Sequence, residues 1–171
     1  MVEAQRHKRK GAVHFMPRFA LLRHETPEHS QIPSHWDLMI ERDGTLATWR
    51  LCQLPYAWHN ALAETSAQLG ADANAASTDP IAAIQLPEHR IAYLDYEGPL
   101  TQERGSVLRC DQGECCWILD AAGVCSVMLR GEKLRGLVEL RRATDDDDSA
   151  AWLLCADGNA ADSPGHRATA D

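Results

Sequence analysis

His35 and Asp37 stand two residues apart within an alternating run, His24 lies upstream, and His89 is followed four residues later by Tyr93. Side chains of an extended strand alternate between faces, so His35, Asp37, Met39 and Glu41 share one side while Trp36, Leu38 and Ile40 share the other. The apolar side reads as core. The opposite side sets an imidazole and a carboxylate close enough together to reach one metal ion or one substrate group.

The elements that would position these groups read mostly as strands. Residues 18–23 form a short apolar strand and 35–42 a second, and Asp43-Gly44 is a two-residue hairpin signal from which 45–51 returns. With that turn Arg42 faces Thr45, and counting outward sets Met39 opposite Thr48, Asp37 opposite Arg50 and His35 opposite Cys52. Further strands are expected at 89–97, closed by Gly98-Pro99, and at 105–110, 114–119, 124–129 and 134–141. Their turns fall at Asp111-Gln112-Gly113, at Ala121-Ala122-Gly123 and around Gly131. Many short strands joined by glycine-bearing turns imply a mainly β protein, a compact antiparallel β-barrel with one or two short helices. Residues 57–85 read as an insertion, with a short helix at 58–69 followed by an exposed Ala/Asn/Asp/Ser loop. No internal repeat is evident.

The 171 residues suffice for one domain with a core, and 44% hydrophobic with 25% charged residues is an ordinary soluble composition. The expected organisation is a basic flexible segment at 1–17 (Arg6, Lys8, Arg9, Lys10), the barrel at 18–142 and an acidic disordered tail at 143–171. That tail holds seven acidic residues, Asp145 to Asp148 among them, against Arg167 alone. No apolar h-region follows the basic segment and no apolar run is long enough to cross a bilayer, so a cytoplasmic protein with no membrane partner, acting as a monomer, is expected. The cysteines at 52, 110, 115, 116, 125 and 155 match no paired C-x-x-C metal spacing and read as buried reduced thiols. Residues 19–142 carry eleven Lys/Arg against seventeen Asp/Glu. That balance counts against tight non-specific duplex binding, but it allows a site that holds one strand end through a metal ion.

The run His35-Trp36-Asp37-Leu38 with Glu41 and Asp43-Gly44, then Trp49, then His89-x-x-x-Tyr93 with Asp95-Tyr96-Glu97-Gly98, and finally Gly131-Glu132-Lys133-Leu134-Arg135-Gly136, resembles the 3′-phosphoesterase domain of bacterial DNA ligase D. The resemblance covers roughly 18–142, five blocks in the family's order, and the expectation is a domain that stands alone, without polymerase and ligase modules. It implies a β-barrel with a manganese-dependent site that trims a 3′-terminal ribonucleotide and removes a 3′-phosphate, leaving a 3′-hydroxyl for end joining. It further implies His24, His35 and Asp37 as metal ligands, and His89 and Tyr93 as contacts to the scissile phosphate. Imidazole and carboxylate suit Mn²⁺, with Zn²⁺ or another divalent metal as alternatives. Partners would be nucleic-acid 3′ ends and a separate DNA ligase or polymerase.

The chain departs from the family's pattern at several positions. The family spaces its two histidines by five residues; here ten intervene, including Pro27 and Pro33, so His24 reaches the site only if that loop folds back. Leu22, Met39 and Gln53 stand where the family has Gln, Arg and Lys. Arg50, opposite Asp37, is either a cross-strand ion pair or a guanidinium that replaces the charge lost at Met39. Arg23, Arg104, Lys133 and Arg135 are further basic candidates, and the Lys133 to Gly136 block reads equally as a turn and closing strand. His7, His14, His29, His59 and His166 read as solvated, with His29 as a substitute for His24 if the long loop folds differently. Two other functions use the same residues: a non-haem iron oxygenase built on His35, Asp37 and His89, and a non-catalytic module that binds DNA ends or a repair partner.

Overall fold

Strand alternation and one tight turn build the first part of the molecule. A computed structural model describes residues 16–62, 79–144 and 149–157. Strands β1 (Arg18–Glu25), β2 (His35–Arg42) and β3 (Thr45–Leu51) run antiparallel. Asp43 and Gly44 join β2 to β3 with φ of 49° and 85°, the double positive φ of a two-residue hairpin turn. Arg42 therefore pairs with Thr45, Met39 with Thr48 and Asp37 with Arg50, as counting from the turn requires. The ladder stops at Trp36–Leu51, one step short of the expected His35–Cys52 pair, and Cys52 is exposed.

The remaining strands are β4 (Ile81–Arg90), β5 (Gly98–Pro99), β6 (Ser106–Ala121), β7 (Val124–Gly131), β8 (Arg135–Arg142) and β9 (Ala151–Ala156). All nine form one antiparallel sheet in the order β1-β2-β3-β4-β9-β8-β7-β6-β5, and β6 also pairs with β1. Eight strands thus close into a ring with the two-residue β5 on its margin, in keeping with the mainly β, barrel-like class expected. Inside lies the main core, where Phe19, Leu38, Ile40, Trp49, Leu129 and Leu140 are almost fully buried. The short helix α1 (Tyr56–Leu62) inserts Trp58 and Leu62 into the same core.

Four expectations change. Residues 89–97 are not a strand: β4 ends at Arg90, and Ile91–Asp95 is a 3-10 helix. Asp111-Gln112-Gly113 is not a turn but the middle of β6, where Leu21 pairs with Asp111 and Leu22 with Arg109, leaving Cys110 as a bulge residue. Gly113 serves close packing there, because a Cβ would lie 2.6 Å from Gly131 Cα on β7. The expected insertion at 57–85 ends sooner, since β4 starts at Ile81; residues 63–78 lie outside the described residues, with the rest of the expected helix. Finally, β9 falls within the segment expected to be a disordered tail. It pairs with β4 and β8 and buries Trp152 and Leu154 in the main core, so a six-residue apolar strand follows the acidic run. Segments 1–15, 145–148 and 158–171 lie outside the described residues. Among the described residues no helix is long and apolar enough to cross a membrane.

Candidate functional site

The site lies on the sheet face opposite the main core. On β1 and β2, His24 pairs with His35 and Leu22 with Asp37, so the four side chains lie side by side across two strands. The ten-residue connection between the histidines does not separate them, because an antiparallel hairpin brings its flanking residues together whatever its loop length. Thr26 Oγ1 donates to Ile32 O at 2.9 Å and Thr26 N to Ser34 Oγ at 3.1 Å, fixing the neck of that loop. Alternation alone would leave this face wet. Instead Leu94 of the 3-10 helix and Val107 of β6 pack on Ala20, Leu22, Met39 and Leu46 as a second buried cluster. His35 is 1% and Asp37 7% exposed.

The three residues expected to hold a metal come together. One ligand atom from each of His24, His35 and Asp37 lies within 4.8 Å of the others. His24 Nδ1 is 3.1 Å from His35 Nε2 and 3.9 Å from Asp37 Oδ2, and His35 Nε2 is 3.7 Å from Asp37 Oδ1. The outer nitrogen of each ring already faces a carbonyl, His24 Nε2 at 2.9 Å from Arg104 O and His35 Nδ1 at 2.8 Å from Pro33 O. With a proton on each outer nitrogen, both inner nitrogens carry lone pairs aimed at the same point. Two lone pairs and a carboxylate converging in this way form a donor set that would hold a cation, and ring orientation by carbonyls is the usual support of metal-bound histidines.

Burial favours the neutral form of both His35 and Asp37. Burial pushes His35 below the ordinary imidazole range, against the opposing pull of the Pro33 carbonyl and Asp37. Burial also pushes the Asp37 carboxyl up, despite His35, His24, Arg50 and His89 nearby. Asp37 Oδ1 is buried and has no hydrogen-bond partner. A nitrogen–nitrogen–oxygen donor set of this kind fits Mn²⁺ or Zn²⁺.

Three more expected residues line the same recess. Arg50 reaches it from β3 and His89 from β4, whose ladder shifts between Leu46–His89 and Thr48–Leu86. The extra residue in that bulge, at Pro87-Glu88, puts His89 rather than Glu88 on the site face. His89 stands edge-on to Tyr93 with ring centroids 5.6 Å apart. A cavity of about 140 Å³ is lined by His24, Asp37, Arg50, His89, Tyr93 and Arg104 together with apolar side chains of the second cluster. Arg50 Nε and His89 Nδ1 are buried and unpartnered, as Asp37 Oδ1 is. Among the described residues Arg50 and Asp37 form no ion pair within 4.0 Å, so the simple cross-strand pair is not what the fold makes of them.

Arg104 enters the site in a way its residue type does not announce. Its backbone carbonyl orients His24, while its guanidinium is held by Thr101 O at 3.0 Å. Gly105, at φ 92°, allows this, because a Cβ there would overlap the backbone of Glu25 and Thr26 and push the loop away from β1. Other candidates lie elsewhere. Arg23 stacks over Trp36 at 4.1 Å, and His59 is half-buried with Nε2 3.2 Å from Leu54 O rather than solvated. His29 does not replace His24 but lines a neighbouring cavity of about 350 Å³ with His24, His35, Arg50 and Glu103. The Gly131–Gly136 block is structural: buried Asp111 accepts the backbone N–H groups of Lys133 and Leu134 at 3.1 and 2.8 Å. Leu22 and Met39 belong to the apolar floor, and Gln53 is exposed. His7, His14 and His166 lie outside the described residues.

No family model matches the chain. It is similar to the multifunctional non-homologous end joining protein LigD of Pseudomonas aeruginosa, with 28% identity over 145 residues. The match takes in 78% of this chain but 15% of the LigD length, so the similarity is to a small part of a much larger protein.

Proposed function

We propose that the protein is a metal-dependent phosphoesterase that acts on DNA or RNA/DNA 3′ ends, removing a 3′-phosphate or a 3′-terminal ribonucleotide during end joining. The observation that carries this reading is the convergence of three buried, unpartnered polar atoms, Asp37 Oδ1, Arg50 Nε and His89 Nδ1, on one small cavity beside a two-histidine, one-carboxylate cluster. A donor, a titratable donor and a candidate cation site match the needs of a phosphate ester. The similarity to part of an end-joining protein supports the nucleic-acid end as the ester's source.

His24, His35 and Asp37 would hold the divalent cation, which when bound supplies polarisation of the phosphoryl oxygens and offsets charge in the transition state. Arg50 donates to a non-bridging oxygen, and the Tyr93 hydroxyl orients the same group. His89, protonated, gives its proton to the departing 3′ oxygen as the P–O3′ bond breaks and a water oxygen bonds to phosphorus; one proton of that water stays on the phosphate product and the other restores the proton on His89. The products are a 3′-hydroxyl and inorganic phosphate. The second cluster keeps bulk water from the floor of the site, which strengthens each of these contacts.

The test is phosphate release from a 3′-phosphorylated primer-template with Mn²⁺ and with chelator, comparing wild type with His35→Ala. Metal-dependent release that disappears in the variant is expected. Tight binding of the 3′-phosphate end without turnover would instead identify a non-catalytic end-binding module, the reading that the apolar Leu22 and Met39 favour. The iron-oxygenase reading relied on His89 as third ligand, and the cluster at metal-binding distance contains His24 instead.

A further inference from the structure

A second recess adjoins the phosphate cavity. It measures about 310 Å³, is lined by Arg90, Ala92, Tyr93, Tyr96, Leu100, Thr101 and Arg104, and shares Tyr93, Leu100 and Arg104 with that cavity. In a chain of net charge −8, two arginines and two phenol rings line it and no carboxylate does. One ring already has two partners: Arg90 lies over Tyr93 at 5.6 Å and His89 stands T-shaped to it. Tyr96 differs. Its hydroxyl donates to Pro99 O, which fixes the side chain, while 38% of the residue is exposed and no ring or guanidinium stacks on it among the described residues.

We propose, on the basis of the phosphoesterase reading, that this recess is the subsite for the 3′-terminal nucleoside, whose base stacks on Tyr96 while Arg90 and Arg104 flank the next phosphate of the strand. A stacking platform with a cationic rim binds any base, since every base offers a π face, and it requires that base to be free of its own neighbour. The substrate class is therefore a single-stranded or frayed 3′ end with little preference for the terminal base. The neighbouring cavity around His29 carries the carboxylate of Glu103 in its lining, so it is the poorer place for an anionic strand.

The test uses the full chain with Mn²⁺ and two 3′-phosphorylated single-stranded oligonucleotides, identical except that one is abasic at the terminal nucleotide. Binding is read by fluorescence anisotropy and turnover by phosphate release. Wild type should bind the base-bearing strand on the order of tenfold more tightly. Tyr96→Ala should remove that difference, whereas Tyr96→Phe, which keeps the ring and loses the hydroxyl contact to Pro99, should retain it. Equal affinity for both strands in wild type, or a difference that survives Tyr96→Ala, overturns the subsite while leaving the phosphoesterase reading intact. Binding that distinguishes the strands without phosphate release keeps the subsite and removes the hydrolytic reading; failure to bind either strand overturns both.

Discussion

Asp37→Asn separates a metal site from a buried network that is merely structural. Asp37 is 7% exposed, its Oδ1 has no hydrogen-bond partner, and burial opposes its ionisation. An asparagine of the same shape carries no charge, and its amide can donate to His24 Nδ1 or His35 Nε2, the inner nitrogens that otherwise face one another at 3.1 Å. Relieving one unpartnered buried acceptor is worth about 1–3 kcal/mol. At roughly 3 °C per kcal/mol for a chain of this size, chelator-treated Asp37→Asn should melt on the order of 3–9 °C above wild type. Metal should close that gap, and reverse the ranking where the gap is less than about 8 °C. A cation at about 100 times its Kd stabilises the wild type by about 2.7 kcal/mol, or roughly 8 °C, and should do little for the variant, which lacks the anionic ligand. Thermal unfolding by calorimetry with Mn²⁺, with Zn²⁺ and with chelator reads all four states. A lower melting temperature for metal-free Asp37→Asn, together with an undiminished metal shift, would refute the reasoning.

Other substitutions probe the parts separately. Arg50→Ala should retain the Mn²⁺-dependent melting shift yet weaken binding of inorganic phosphate about tenfold or more, measured by calorimetric titration; unchanged phosphate affinity would exclude Arg50 as the phosphate donor. Gly105→Ala should lower metal affinity about 10–100-fold without touching a ligand, because the loop that presents the Arg104 carbonyl to His24 must move; metal titration followed by intrinsic fluorescence tests this. Gly131→Ala should destabilise by about 1–3 kcal/mol in denaturant melts, since its Cβ would overlap Asp111 Oδ2 and approach Phe19 Cζ to 2.7 Å, while leaving metal affinity intact. Burial also raises the Asp111 carboxyl above its ordinary range, so folded protein holds that proton more tightly than unfolded chain. Its contribution to stability therefore falls as pH climbs from about 4 through the raised folded value, and Asp111→Leu should flatten that part of the stability–pH curve.

The hairpin around Asp43-Gly44 is legible from its turn out to the Asp37–Arg50 pair, because a two-residue turn with two positive φ values admits one register; the outermost expected pair, His35–Cys52, does not form. Glycine elsewhere was ambiguous. The same residue that marks a turn at Gly44 marks close strand approach at Gly113, and nothing local in the sequence separates the two uses. The strand Ala151–Ala156 was hidden for a related reason: six apolar-rich residues are outweighed by the acidic run before them when composition is averaged over a whole tail.

The site itself divides along the same line between local and non-local causes. Strand alternation sufficed to put His35 and Asp37 on one face, and hairpin geometry brings His24 to them across a loop of any length. That this face is dry depends on Leu94 and Val107, about 50 to 70 residues further along the chain, and no periodicity within residues 35–42 can encode a cover that arrives from elsewhere. The carbonyls that orient the histidines are less visible still, since Pro33 and Arg104 act through backbone oxygens common to every residue. Their trace in the sequence is indirect: Gly105, required because the chain must pass against the backbone of Glu25 and Thr26 at positive φ. The burial that makes Asp37 expensive without a cation is thus created by 3-10 and loop segments between residues 91 and 107. Affinity for metal should be as sensitive to that distant loop as to the ligands themselves.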